Sequence, residues 1–137
     1  MRAYGHARRR SARATYILPR SETSARWARH LTAAYLNRGC GERVPADQVE
    51  DATLVVSELV TNATRHGRGC CRLQLSVVSG RVTVEVHDRS PVQPRLRQAD
   101  ILSEGGRGIA MVRELSRRFS VLGTPGGGKT VQAILAC

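Results

Sequence analysis

The sequence predicts an α+β fold: a two-layer sandwich in which a mainly antiparallel sheet carries its helices on one face. Three observations lead there. Two stretches with apolar residues at helical spacing occupy residues 21–39 and 46–65. Two strands of period two follow, joined by a two-residue turn at Ser79-Gly80. A third helical stretch and a final hairpin complete the order β-α-α-β-β-α-β-β.

Residues 1–13 hold Arg2, Arg8, Arg9, Arg10 and Arg13 with no acid, and read as a disordered basic tail before a single domain over 14–137. Ala14 to Leu18 forms a short strand that Pro19 ends, which suits a sheet edge. Ser21 offers an N-cap for a helix whose Ala25, Ala28, Leu31, Thr32, Tyr35 and Leu36 recur at helical spacing up to Gly39. A longer helix over 46–65 carries Val49, Ala52, Val55, Val56, Leu59, Val60 and Ala63, and Gly67-Arg68-Gly69 stops it. Leu73, Leu75 and Val77 alternate in the next strand, and Val82, Val84 and Val86 in its partner up to Asp88. A polar loop over 89–103 leads through Gly105-Gly106-Arg107-Gly108 to a helix over 109–117. Its inward residues are Ile109, Val112, Leu115 and Ser116. Strands over 119–122 and 130–135 flank a glycine-rich loop.

Of the 137 residues, 41% are hydrophobic and 24% charged, a globular balance. No apolar run reaches the length of a membrane span, and no apolar core follows the arginine-rich start, so a cytoplasmic protein is expected. The net charge is +11, from 22 Lys and Arg against 11 Asp and Glu, and Lys129 is the lone lysine. That surplus favours anionic partners. Nucleic acid is expected only weakly, through the basic tail, because no nucleic-acid motif accompanies the charge. Cys40, Cys70, Cys71 and Cys137 form no Cys-x-x-Cys pair, which points to reduced thiols. Cys70 and Cys71 alternate faces, one in the core and one at the surface.

Several residues invite a chemical reading. Asp88 shares its parity with the three valines of its strand, so it points toward the helices, where a carboxylate needs hydrogen-bond donors. A purine amino group, a buried water or a backbone amide would each serve. Glu58 and Asn62 lie four apart on one helix face. They are either part of a solvated polar stripe or a half-buried pair beside Leu59, Val60 and Ala63. Gly123 to Thr130 matches the phosphate-loop pattern, but the residues after Thr130 alternate as a strand and no helix opens there to hold phosphates. That match is a decoy. The 105–108 glycines offer either backbone amides for an anion or a flexible hinge.

Taken together, four segments resemble the boxes of the GHKL ATPases, in order. Ser57-Glu58-Leu59-Val60-Thr61-Asn62-Ala63 with His66 is similar to the N box. Asp88-Arg89-Ser90-Pro91-Val92-Gln93-Pro94 resembles the first glycine box in a degenerate form, with Ser90 and Val92 standing where that pattern has glycines. Gly106-Arg107-Gly108-Ile109 resembles the second, and Gly127-Gly128-Lys129-Thr130-Val131 the terminal glycine-threonine box. Among these ATPases the chain is most similar to the anti-sigma factor serine kinases, especially short stand-alone actinobacterial forms.

The resemblance implies a histidine kinase-like ATPase fold and ATP and Mg²⁺ as cofactors. Asp88 would accept from the adenine amino group, with Ser90 beside it in the same box. Asn62 would give its amide oxygen to Mg²⁺, and Glu58 would be the base toward a serine hydroxyl. Gly106, Arg107, Gly108 and Ile109 would serve the phosphates, while Gly128, Lys129 and Thr130 would pack beneath the nucleotide and residues 95–104 would form a lid. The implied partners are a sigma factor and an anti-anti-sigma factor, with a homodimer in keeping with that family. The alternative is a non-catalytic, ATP-binding docking module that regulates without kinase activity.

Overall fold

Alternating valine, leucine and polar residues build the central hairpin. In the computed structural model, which describes residues 13–66, 69–89 and 104–135 (of residues 104–107 the backbone alone), β2 spans Cys71–Val78 and β3 spans Arg81–Asp88. Their inward side chains are buried from Cys71 to Val77 and from Val82 to Asp88, while the intervening residues face outward. Ser79 and Gly80 both take positive φ, 54° and 76°, the left-handed pair that a two-residue hairpin with the strands' own twist requires. The Gly80 N–H donates to Glu42 Oε1 at 2.7 Å, fixing the turn.

The sheet is antiparallel between all its paired strands, in the order β1-β2-β3-β5-β4. Strand β1 (Ala14–Leu18) lies at one edge, as Pro19 predicts, and β4 (Ser116–Gly123) at the other. Strand β5 (Lys129–Leu135) runs between β3 and β4 and presents Lys129, Val131, Ala133 and Leu135 inward. Half-buried Phe119 and Val121 tie β4 to the core, and the Arg113 guanidinium stacks over the Phe119 ring at 5.4 Å.

Three helices cover one face. Helix α1 (Ser24–Ala34) runs into a wide turn over Tyr35–Gly39, closed where the Cys40 N–H donates to Tyr35 O at 2.9 Å. Helix α2 (Ala46–His66) buries Val49, Ala52, Val55, Val56, Leu59, Val60 and Ala63, the stripe read from its spacing. Each such valine or leucine contributes about 1.5–3 kcal/mol on burial, so α2 anchors the layer. Helix α3 (Glu104–Leu115) buries Ile109 and Val112 against it. Cys71 is buried and Cys70 exposed, as their alternation predicts, and Cys40, Cys70 and Cys71 are free thiols. No helix among the described residues is long and apolar enough to cross a membrane.

Element boundaries differ from expectation at several ends, β4 among them, which begins at Ser116, three residues before the predicted start. Helix α1 starts at Ser24 rather than after Ser21, whose hydroxyl instead accepts from the Thr23 N–H at 3.2 Å within a preceding turn. The Ser24 hydroxyl is buried and donates to Pro19 O at 2.6 Å, which joins the helix start to the end of β1. Helix α3 begins at Glu104, so it absorbs Gly105, Gly106 and Gly108, and it ends at Leu115 because Ser116 already belongs to β4. Strand β5 begins at Lys129, one residue before the predicted start. The basic tail up to residue 12, the stop at Gly67-Arg68, the loop over 90–103 with the expected lid, and Cys137 lie outside the described residues.

Candidate functional site

The end of β3 and the start of β5 are neighbours in the sheet, and their last inward residues face each other. Asp88 pairs in register with Lys129. Because inward positions alternate, both side chains turn toward the helices, and both are 2% exposed. The Lys129 ammonium lies 3.0 Å from Oδ1 and 3.0 Å from Oδ2 of Asp88, so it bridges the whole carboxylate. The donor that the inward orientation of Asp88 demands is therefore, in part, a lysine. Parity carried the signal: Lys129 continues the alternation of Val131, Ala133 and Leu135 outward along β5.

Gly128 makes that approach feasible. A Cβ there would meet the Asp88 backbone oxygen at 2.6 Å and the Thr124 hydroxyl at 3.1 Å. Only a residue without a side chain lets β5 enter so close to β3. The loop before it is a turn, with the Thr124 N–H donating to Gly128 O at 2.9 Å and positive φ at Gly126 and Gly127. It opens a strand, in line with the rejection of the phosphate-loop match.

Cys71 stands one register step beyond the Arg72–His87 pair, on the other side of Asp88. Burial pushes its thiol up to about 11, and the Asp88 charge adds to the shift. Sequence reasoning missed this neighbour, although its inward parity in β2 was legible.

Glu58 and Asn62 sit one turn apart on α2, both half-buried, which favours the partly buried pair over a fully solvated stripe. The Glu58 carboxylate packs on the backbone of α3 at Gly108, where a Cβ would coincide with it. The absence of a side chain at 108 leaves the room in which the Glu58 carboxylate lies. The preceding residue, Ser57, accepts a hydrogen bond from Arg29 Nη1 of α1 at 3.1 Å.

The remaining predicted residues divide. Gly106 lies in the first turn of α3, whose amides have no partner within the helix, whereas Gly108 and Ile109 lie a turn deeper, so the expected glycine loop opening onto a helix is helix itself. Ile109 is 5% exposed and packs in the core. Of Arg107 the backbone position in α3 is described, and its side chain lies outside the described part, as does all of Ser90. The Thr130 side chain faces the opposite side of the sheet from Asp88, its hydroxyl 3.1 Å from His87 Nδ1. Its parity, odd to that of Lys129, dictates this.

No group of three or more His, Cys, Asp or Glu among the described residues is arranged to hold a metal. Asn62 nonetheless suits Mg²⁺ as a single hard oxygen donor, since that ion keeps most of its waters and leans on substrate phosphates. An open pocket lined by Arg20, Ser21, Glu22, Thr64 and Arg65 contains none of the predicted site residues.

The fold is an α+β domain that sets a buried acid at a strand end beneath a helix layer presenting a Glu and an Asn on one turn. The family model for the histidine kinase-like ATPase domain matches residues 18–135, and the chain belongs to that family. The family points to ATP as the ligand. No curated protein matches the chain.

Proposed function

We propose that the protein is an ATP- and Mg²⁺-dependent serine kinase that acts as an anti-sigma factor and phosphorylates an anti-anti-sigma antagonist. The observation that carries the reading is the Glu58–Asn62 pair, half-buried on α2 with Glu58 against Gly108, in a chain of the histidine kinase-like ATPase family. Asp88 accepts from the base at the sheet end. The Asn62 amide oxygen would hold Mg²⁺, which would supply neutralisation of the phosphate charge. Glu58 takes the proton of the antagonist's serine as its Oγ bonds to the γ-phosphorus and the bond to the ADP oxygen breaks. The proposed partners are a sigma factor and the serine-bearing antagonist, and the setting is the cytoplasm.

The test is transfer of labelled γ-phosphate to a candidate antagonist protein, comparing wild type with Glu58→Gln. Loss of about 100-fold or more in rate is expected, the usual contribution of a general base. Transfer at the wild-type rate would remove Glu58 from the mechanism. The second reading, an ATP-binding docking module without kinase activity, draws on Ser90 and Val92 standing where the first glycine box has glycines. Mg²⁺-dependent phosphate transfer to any partner rules it out.

A further inference from the structure

Every cation in this chain but one is an arginine, and the single lysine is buried against the acid that ends β3. An ammonium has three protons. Among the described residues, the acceptor that Nζ meets is the Asp88 carboxylate, with both oxygens at 3.0 Å. One carboxylate in that bridging position takes at most two of the three. Cross-strand register sets the two residues opposite each other, and Gly128 lets the backbones close. The result is a buried acceptor and a buried donor side by side, with donor capacity left over on the ammonium.

We propose that Lys129 is a second base-reading residue: its ammonium donates to the ring nitrogen N1 of adenine while Asp88 accepts from the adjacent 6-amino group. The inference rests on the reading of ATP as the ligand and adds the part of the base that Lys129 contacts. Adenine presents a donor and an acceptor on neighbouring atoms, which is the complement of the Asp88–Lys129 pair. With both protein groups 2% exposed, a base edge that reaches them is stripped of water, the condition in which a missing partner is most costly. Lys129 thereby converts the site from one that senses an amino group to one that senses an amino group beside a ring nitrogen.

The experiment is calorimetric titration of the full chain with ATP and with 1-deaza-ATP, in which N1 is replaced by C–H, on wild type and on Lys129→Met. Wild type is expected to bind ATP about tenfold or more tighter than the deaza analogue, as for a hydrogen bond from a charged donor. Lys129→Met is expected to bind the two alike. A pair that serves stability alone would weaken both nucleotides equally and leave the ratio unchanged. Should Lys129→Met fail to fold, Asp88→Leu/Lys129→Met, which buries no charge and offers the base no donor, carries the same comparison with the same expectation. Equal wild-type affinity for the two nucleotides, or a ratio that survives removal of Lys129, overturns the assignment while leaving ATP binding intact. No ATP binding by wild type overturns both.

Discussion

Removing the Lys129 ammonium strands a carboxylate in the interior, and the size of the effect follows from the geometry. Unit charges 3.0 Å apart attract by about 5 kcal/mol at an effective dielectric of about 20. Breaking a buried pair by deleting one partner typically costs about 3–5 kcal/mol, because the survivor remains desolvated. Lys129→Met should therefore lose about 3–5 kcal/mol, a large share of the 5–15 kcal/mol that holds a typical domain together. In urea the midpoint should fall by about 2 M, followed by far-UV circular dichroism, given a slope of about 2 kcal/mol per M. Asp88→Asn/Lys129→Met leaves no charge behind and should regain most of the loss, so the coupling between the two sites should exceed about 2 kcal/mol. A single variant within about 1 kcal/mol of wild type, or a coupling near zero, would refute the description of a dry, bridged pair.

Other consequences follow from particular contacts. Gly108→Ala places a methyl on the Glu58 carboxylate, which can swing aside, and alanine favours a helix by about 1 kcal/mol over glycine. Its urea midpoint should stay near wild type while phosphate transfer drops about tenfold or more. Gly128→Ala instead meets the Asp88 backbone oxygen at 2.6 Å, which cannot yield, and should destabilise by about 1–3 kcal/mol. Gln48 is buried with Oε1 unpartnered among the described residues, so Gln48→Met should raise stability by about 1 kcal/mol in the same urea assay. The Cys71 thiol, at about 11 in the fold against an ordinary 9.0, keeps its proton in the native state to higher pH than in the unfolded chain. Its contribution is complete below pH 9 and is lost as pH climbs toward 11, about 2–3 kcal/mol in all. Urea titrations of Cys71→Ala should lack that decline between pH 9 and 11.

Local periodicity carried most of the fold. The stripe of α2 and the alternation of β2 and β3 each reflect a face that must be buried, so spacing alone reveals them. The same parity turns Asp88 inward, and the buried carboxylate lies where that alternation puts it. What spacing missed depends on contacts distant in sequence. Three glycines between 105 and 108 argue against helix at about 1 kcal/mol each, yet α3 includes them because it packs on α2, and Gly108 is the residue that admits Glu58. The cap at Ser21 misled because Ser24, three residues on, is the hydroxyl that bonds back to β1. The Asp88–Lys129 bridge spans 41 residues and needs the exact entry point of β5, which the glycine turn sets. Thr130 resembles a binding residue by its box, whereas the strand's alternation sends its side chain to His87 on the far face.

The central claim, a nucleotide held between the Asp88 end of the sheet and the Glu58–Asn62 turn of α2, is tested most directly by titrating ATP into the protein calorimetrically, with and without Mg²⁺, alongside Asn62→Ala. The account predicts micromolar binding that Mg²⁺ strengthens and that the variant weakens. Absence of binding at millimolar ATP, or binding indifferent to both Mg²⁺ and Asn62, would contradict it.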